Sequence, residues 1–242
     1  MFDHVTIRVS DRAASERFYE TVMRTLGSEQ THSDEHFAEW DDFSLAATDA
    51  EHPVTRRLHI GFAAPSQQHV DEFWQAGTAG GYRDDGAPGP RPQYSDDYYG
   101  AFLLDPDGNS AEAVHHESLR EGGVIDHLWI RVSDVDASTR FYETVGPAAG
   151  FRVGKELDDR TSFACVSGSF SVVAGAEPTE NVHLAFAAAD NDTVDRFHRD
   201  ATTAGYRDNG PPGERTVYHA GYYGAFVFDP DGNNVEVVNH NR

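Results

Sequence analysis

The chain of 242 residues holds one lysine, Lys155, one cysteine, Cys165, and two methionines. A lone cysteine excludes an internal disulfide framework and fits a reducing compartment, so a cytoplasmic location is expected. Cys165 itself is expected to be buried rather than reactive. No stretch approaches the roughly 20 apolar residues of a membrane helix, so no membrane partner is expected. The opening MFDHVTIRV reads as a strand, without the basic segment and apolar run of a signal peptide. Positive charge is scarce. Lys plus Arg is 19 against 41 Asp plus Glu, a net charge of −22. Such a surface repels nucleic acid, which is set aside as a partner. It fits high solubility first, and second a medium of strong salt, where ions screen the self-repulsion. What remains is a chain with a hydrophobic fraction of 38% and 3 Trp, 10 Tyr and 15 Phe, enough for a packed core.

An internal repeat organises it. FDHVTIRVSD (residues 2–11) matches IDHLWIRVSD (125–134), and ERFYETV (16–22) matches TRFYETV (139–145). LHIGFAA (58–64) matches VHLAFAA (182–188), and YYGAFLLDPDGNSAEAV (98–114) matches YYGAFVFDPDGNNVEVV (222–238). The offset is 123 at the start and 124 later. Two whole domains are therefore expected, 1–117 and 124–242, with 118–123 as linker.

Each copy reads as strand, helix and strands, twice over. Val5, Ile7 and Val9 alternate on one face of a first strand. Ser10 or Asp11 can cap the helix that follows, whose apolar face holds Phe18, Val22 and Leu26, and Gly27 stops it. Weaker strands are expected through 36–48, a new strand over 58–63 and a second helix over 67–76. Two closing strands flank the turn at Asp105–Gly108, where proline presets the backbone and glycine accepts positive φ. The Gly/Pro-rich stretches GAPGPRPQY (86–94) and GPPGERTVY (210–218) read as loops. The expected fold class is α+β, built from four βαβββ-like modules.

Alternation also selects the residues that carry chemistry. His4 lies opposite Val5 and Ile7. His59 lies opposite Leu58 and Ile60, beside the small residues Gly61 and Ala63. Glu112 lies on the closing strand. All three recur, as His127, His183 and Glu236. Two imidazoles and a carboxylate suit a first-row divalent ion (Fe, Mn, Ni, Zn or Co) and leave coordination positions open for water or substrate. Recurrence by descent alone is the competing explanation, and His32, His36, His52, His69, His115 and His116 are read as lacking a matching histidine.

DHVTI, LHIGFAA and DPDGNSAEAV, with their second-copy partners, resemble the marker segments of the vicinal-oxygen-chelate superfamily. That superfamily includes glyoxalase I, extradiol dioxygenases, and fosfomycin- and bleomycin-resistance proteins. The resemblance covers essentially the whole chain. It implies two paired-module domains whose mixed sheets curl around cavities, with ligands on the first strand of each module and on the last strand. His4, His59, Glu112, His127, His183 and Glu236 fall at those places. Glyoxalase I adds a fourth ligand on the strand closing its first module, where this chain has Ser44 and Ser171. The closing signature of extradiol dioxygenases is absent too. The functions that follow are a metal-dependent enzyme on a small substrate with vicinal oxygens, of lyase, isomerase or ring-cleaving type, or a non-catalytic protein that sequesters a drug. Either is expected as a monomer (itself an internal pseudo-dimer) or as a homodimer.

Further expectations concern detail. Each metal set is expected to be completed within one copy. Tyr98, Tyr99, Tyr222 and Tyr223 could donate to an oxyanion or pack in the core, and Arg8 and Arg131 could hold an anion or form surface ion pairs. The second copy is expected to be the better catalyst, through Glu236, Tyr222 and His219, because Ser95 stands where His219 does.

Overall fold

The computed structural model describes residues 2–119, 122–165 and 168–242; the side chain of Cys165 lies outside the described residues, and so does that expectation of its burial. Four modules follow one another. The first is β1 (Phe2–Val9), α1 (Arg12–Met23), β2 (His32–Ser33), β3 (Phe37–Trp40) and β4 (Phe43–Ala47). The second is β5 (His59–Ala63), α2 (Gln67–Ala79), β6 (Arg83–Pro90), β7 (Tyr99–Leu104) and β8 (Ser110–His115). The third is β9 (Ile125–Val132), α3 (Val135–Ala149), β10 (Arg152–Leu157), β11 (Arg160–Cys165) and β12 (Gly168–Ala174). The fourth is β13 (His183–Ala187), α4 (Asn191–Thr203), β14 (Asp208–Glu214), β15 (Tyr223–Phe228) and β16 (Asn234–Asn239). They form two mixed eight-stranded sheets, in the orders β14-β15-β16-β13-β1-β4-β3-β2 and β10-β11-β12-β9-β5-β8-β7-β6. The chain thus has the expected α+β class and four βαβββ-like modules. The sheets join the first module to the fourth and the second to the third.

By packing, the chain divides into two units, one of Thr6–Trp129 and one of residues up to Val5 with Ile130–Arg242. Within the first, α1 packs on α2 and turns Phe18, Tyr19, Val22 and Met23 inward, the spacing of one helical face. Tyr19 meets Phe43 at 4.8 Å, and Phe43 meets Phe62 edge-on at 5.2 Å. Within the second, α3 packs on α4, and Tyr142 meets Phe170 at 4.9 Å. Phe186 there packs on Phe2 at 5.5 Å. Tilted and edge-to-face contacts of this kind add to the burial of large apolar area.

The caps follow the duplicated SD dipeptides. Asp11 accepts the backbone N–H of Ala14, and Asp134 that of Ala137, both at 2.9 Å. Ser10, the other candidate cap, is bonded instead to Asp107, as Ser133 is to Asp231. Gly27 and Gly150, both at φ 78°, end the helical segments in the left-handed conformation. In the closing turn, Asp105 accepts the N–H groups of Asp107 and Asn109, and Asp229 those of Asp231 and Asn233. Buried Tyr19 donates to Asp105. Asn109 then reaches back to the N–H of Leu58 at 3.1 Å, and so holds the closing turn against the start of β5.

Two expectations are corrected. Most of the Gly/Pro-rich stretches are strand: β6 and β14 pair with β7 and β15, with register irregularities at Gly86 and Gly210. Both end a sheet, where a proline lacking N–H breaks no ladder. The second helix runs three residues beyond 76, to Ala79.

Candidate metal centres

The six recurring ligand candidates gather into two sets of three. His4, His183 and Glu236 form one, and His59, Glu112 and His127 the other; in each, the ligand atoms lie within 4.8 Å of one another. Each set draws its first histidine from the other copy, which corrects the expectation of sets closed within a copy. The reason is strand pairing. β5 has β8 parallel on one side, which places Gly61 beside Glu112. On its other side lies antiparallel β9, which places the same Gly61 beside His127. β13 likewise sets Ala185 beside Glu236.

In the His4 set, His4 Nε2 lies 3.1 Å from His183 Nε2, and His183 Nε2 lies 3.0 Å from Glu236 Oε2. In the His59 set, the Nε2 atoms are 3.3 Å apart, and Glu112 Oε2 lies 2.9 Å from His59 and 3.3 Å from His127. Ligand bonds of about 2.1 Å at right or tetrahedral angles give separations of about 3.0–3.4 Å. The His59 set fits a divalent ion in chemistry and spacing; the His4 set fits in chemistry, with two separations in this range and the third, His4 Nε2 to Glu236 Oε2, longer at 3.8 Å.

Neighbouring groups fix the donors, and here the sequence reading missed most. Asp3 Oδ1 accepts from His4 Nδ1 at 2.8 Å, and Asp126 Oδ2 from His127 Nδ1 at 2.9 Å. Each aspartate thus holds the tautomer that turns Nε2 to the set. Ser110 contacts His59 Nδ1 at 3.2 Å, and the Asn234 amide contacts His183 Nδ1 at 2.6 Å. Tyr98 donates to Glu112 Oε1 at 2.8 Å, and Tyr222 to Glu236 Oε1 at 2.7 Å. Those hydroxyls therefore hold the spare carboxylate oxygen in place. Tyr99 and Tyr223 point elsewhere, to Asp71 and Asp195. Arg8 donates to the carbonyl of Ala47. Ser44, at the place of a fourth ligand, is bonded to Thr6 at 2.7 Å. The DH pairs were visible in both copies, and an acid next to a metal-site histidine was the available signal.

Space is kept for these groups. A Cβ on Gly61 would lie 2.3 Å from the His127 ring, and one on Gly100 or Gly224 would lie 2.5 or 2.6 Å from the carboxylate of Glu112 or Glu236. Both glutamates are 1% exposed. Burial pushes Glu112 up, but hydrogen bonds from His127 and His59 outweigh it and bring it down to about 2. Burial pushes His127 down, yet Asp126 and Glu112 raise it to about 10. Burial also opposes the ionisation of Asp3, and the partners His4 and His240 hold it below its ordinary value. Burial and the nearby Glu236 carboxylate keep the Tyr222 hydroxyl protonated far above its ordinary range.

His219 does not enter the His4 set. Its Nε2 lies 2.8 Å from His240 Nδ1, and His240 Nε2 lies 2.8 Å from Asp3 Oδ2. His219 is thus separated from His4 by two side chains. His116, read as unmatched, is the counterpart of His240 at the 124-residue offset and lies 3.2 Å from Asp126.

Residues 1–113 and 124–237 each match the family model of the Glyoxalase/Bleomycin resistance protein/Dioxygenase superfamily, and the chain belongs to that superfamily as two tandem domains. No curated protein sequence matches the chain. Among solved structures, glyoxalase I from Zea mays is similar over 99% of this chain and 92% of its own, with 18% identity and a TM-score of 0.71. A candidate dioxygenase from Bacillus subtilis is similar over 100% of this chain and 85% of its own, with 12% identity and a TM-score of 0.68. At such identity the likeness is one of fold. Among the described residues, no helix is long and apolar enough to cross a membrane.

Proposed function

We propose that the protein is a divalent-metal-dependent enzyme acting on a small substrate with two adjacent oxygens, by lyase, isomerase or ring-cleaving chemistry. The observation that carries this reading is the convergence of two imidazole Nε2 atoms and one buried carboxylate oxygen, twice in one chain. His4, His183 and Glu236 would hold one ion, and His59, His127 and Glu112 another, of the class Fe, Mn, Ni, Zn or Co. Bound there, such an ion supplies Lewis acidity to oxygens that chelate it. The protein's own part is orientation. Asp3 and Asp126 aim the histidines, and Tyr222 and Tyr98 fix the glutamates so that one oxygen faces the set. We assign catalysis to the His4 set, through Glu236 as ligand, Tyr222 as the donor that positions it, and His219 as a more distant proton-bearing group.

Elemental analysis of chelator-free protein tests the reading. Two equivalents of one or more of these metals are expected in the wild type and one in His183→Ala. A wild type that takes up none of them under any loading would replace the enzyme by a metal-free binding module.

A further inference from the structure

Each closing hairpin carries an arginine on the same sheet face as its metal set. Phe102 in β7 is the register partner of Glu112 in β8. Residues directly opposite in an antiparallel pair share a face, so Phe102 lies on the face of Glu112, and its ring is 5.9 Å from that of His59. On β6, Gly89 is the partner of Gly100. A Cβ on Gly100 would lie 2.5 Å from Glu112 Oε1, and one on Gly89 would lie 3.1 Å from Arg91 Nη1. The Arg91 guanidinium therefore lies on that face too, with its centre 5.3 Å from the Phe102 ring. Its strand is two strands away from that of Glu112, which is about 9–10 Å. The other copy repeats the arrangement. Phe226 is the partner of Glu236, and the Arg215 guanidinium lies over Gly213, 5.5 Å from the Phe226 ring.

Both guanidinium groups are anchored without being neutralised. Arg91 donates to the carbonyls of Pro90 at 3.2 Å and Ala87 at 2.7 Å. Arg215 donates to those of Glu214 at 3.4 Å and Pro211 at 2.6 Å. A guanidinium has five N–H groups, so most of each fork is left over. Among the described residues neither arginine forms an ion pair, although the chain holds 41 Asp and Glu. The nearest acids in sequence are turned to other donors. Asp85 on β6 accepts from Ser110 at 2.8 Å, and Glu214 from the N–H of Gly221 at 3.3 Å. Asn209 stands where Asp85 does and bonds Asn234.

The carbonyl contacts account for the place of each side chain and leave its charge without a use. A half-buried planar fork, stacked on an aromatic ring and lacking a carboxylate, matches the geometry of a carboxylate or phosphate group. We propose that Arg91 and Arg215 are oxyanion-binding residues, one beside each metal set, and that the ligand of each set carries a carboxylate or phosphate at the end remote from the ion. The second half of this proposal rests on the metal-site reading, and the first half does not.

The first half is tested on the metal-free wild type by 1H–15N NMR of the arginine Nε–H groups, titrated with acetate and with inorganic phosphate at constant ionic strength. Saturable shifts are expected at Arg91 and Arg215 and at no other arginine, and the anion that saturates at the lower concentration identifies the group. Shifts spread over all arginines, or none at these two, would overturn the proposal. The second half uses single-set proteins loaded with Co2+, His183→Ala for the His59 set and His59→Ala for the His4 set, with visible absorption reporting binding. Succinate, adipate and suberate are compared with butyrate, hexanoate and octanoate. At least one dicarboxylate should bind about tenfold more tightly than its monocarboxylate, the scale of one charge-assisted pair. Arg91→Gln in the first background and Arg215→Gln in the second should abolish that preference. If the arginines only lock their edge strands, the variants would change melting or Co2+ affinity and leave the preference intact, which overturns the proposal. If neither set takes up Co2+, the metal-site reading falls with the second half, and the acetate and phosphate titrations alone decide the arginines.

Discussion

The two His–His–Glu sets are the same device in different surroundings. Their ligands, the aspartates that orient the first histidine and the tyrosines that hold the glutamate all recur at the repeat offset. What differs lies one side chain further out. The His59 set has Gly61 beside Glu112 and His127 and has Trp129 next along β9. The His4 set has Ala185 beside Glu236, and Thr6 at the place of Trp129. Duplication kept the six candidate ligands and the groups bonded to them, and let the side chains around them diverge.

The comparison breaks first if the sets are not paired as described. Because His4 belongs with His183, the double variant His4→Ala/His183→Ala should keep one metal equivalent bound at an intact set. His4→Ala/His59→Ala damages both sets and should keep none. Elemental analysis separates the outcomes, and the reverse pattern would restore pairing within each copy.

This pairing was the least legible feature of the site. Alternation in β1 and β5 singled out His4 and His59, and their recurrence singled out His127 and His183. But the segments around His4 and His127 are nearly identical, so no spacing tells which of them meets His59. Only hydrogen bonding between β5 and β9 decides it, and that is a long-range property. β6 and β14 escaped notice for a related reason: an edge strand is held by backbone pairing and needs no apolar side chain to mark it. The helices were legible because capping aspartates and apolar faces are local. The His240 relay was hidden because its members, Asp3, His219 and His240, come from distant parts of the chain.

The next largest effect concerns Gly61. Its missing Cβ leaves the space into which the His127 ring fits, so Gly61→Ala should displace that ring and cost the His59 set about 10–100-fold in metal affinity. Ala185 already occupies the matching place, so Ala185→Gly should leave the His4 set within about twofold. Co2+ titration of each variant, in a His183→Ala or His59→Ala background, reads one set at a time. A Gly61→Ala protein with unchanged affinity would show that the rings relax around the methyl group.

Protonation sharpens the comparison further. His127 is raised to about 10, so at neutral pH an ion must displace its proton. Metal affinity at the His59 set should therefore climb by up to about tenfold per pH unit from neutrality towards about 10. The stability of the metal-free protein should change in the opposite sense. A raised histidine contributes stability below its ordinary value of about 6.5, and that contribution is lost as pH rises through about 10. Co2+ titrations of His183→Ala between pH 7 and 9, with thermal melts of the metal-free protein, should show opposed slopes. Flat affinity across that interval would mean that Asp126 and Glu112 do not hold the proton on His127.

The smallest effect expected is at Trp129. It is the register partner of His59, and its ring lies 5.6 Å from His59 and 6.4 Å from His127. Tyr94 stands edge-on to it at 5.4 Å. The side chains of His59 and His127 are 12% and 10% exposed, against 18% and 26% for His183 and His4. An apolar wall limits the approach of water and of a chelator to the ligands it covers. Trp129→Thr, the residue found in β1, should then speed the extraction of Co2+ by EDTA from the His59 set by about threefold, without changing its equilibrium affinity as much. Trp129 also supplies a local signal. The other tryptophans are Trp40 and Trp74, so Co2+ quenching that disappears with Trp129→Thr reports the His59 set directly. If extraction from the His59 set keeps its wild-type rate in Trp129→Thr, the indole packs beside the ligands without covering them, and the difference in exposure has another source.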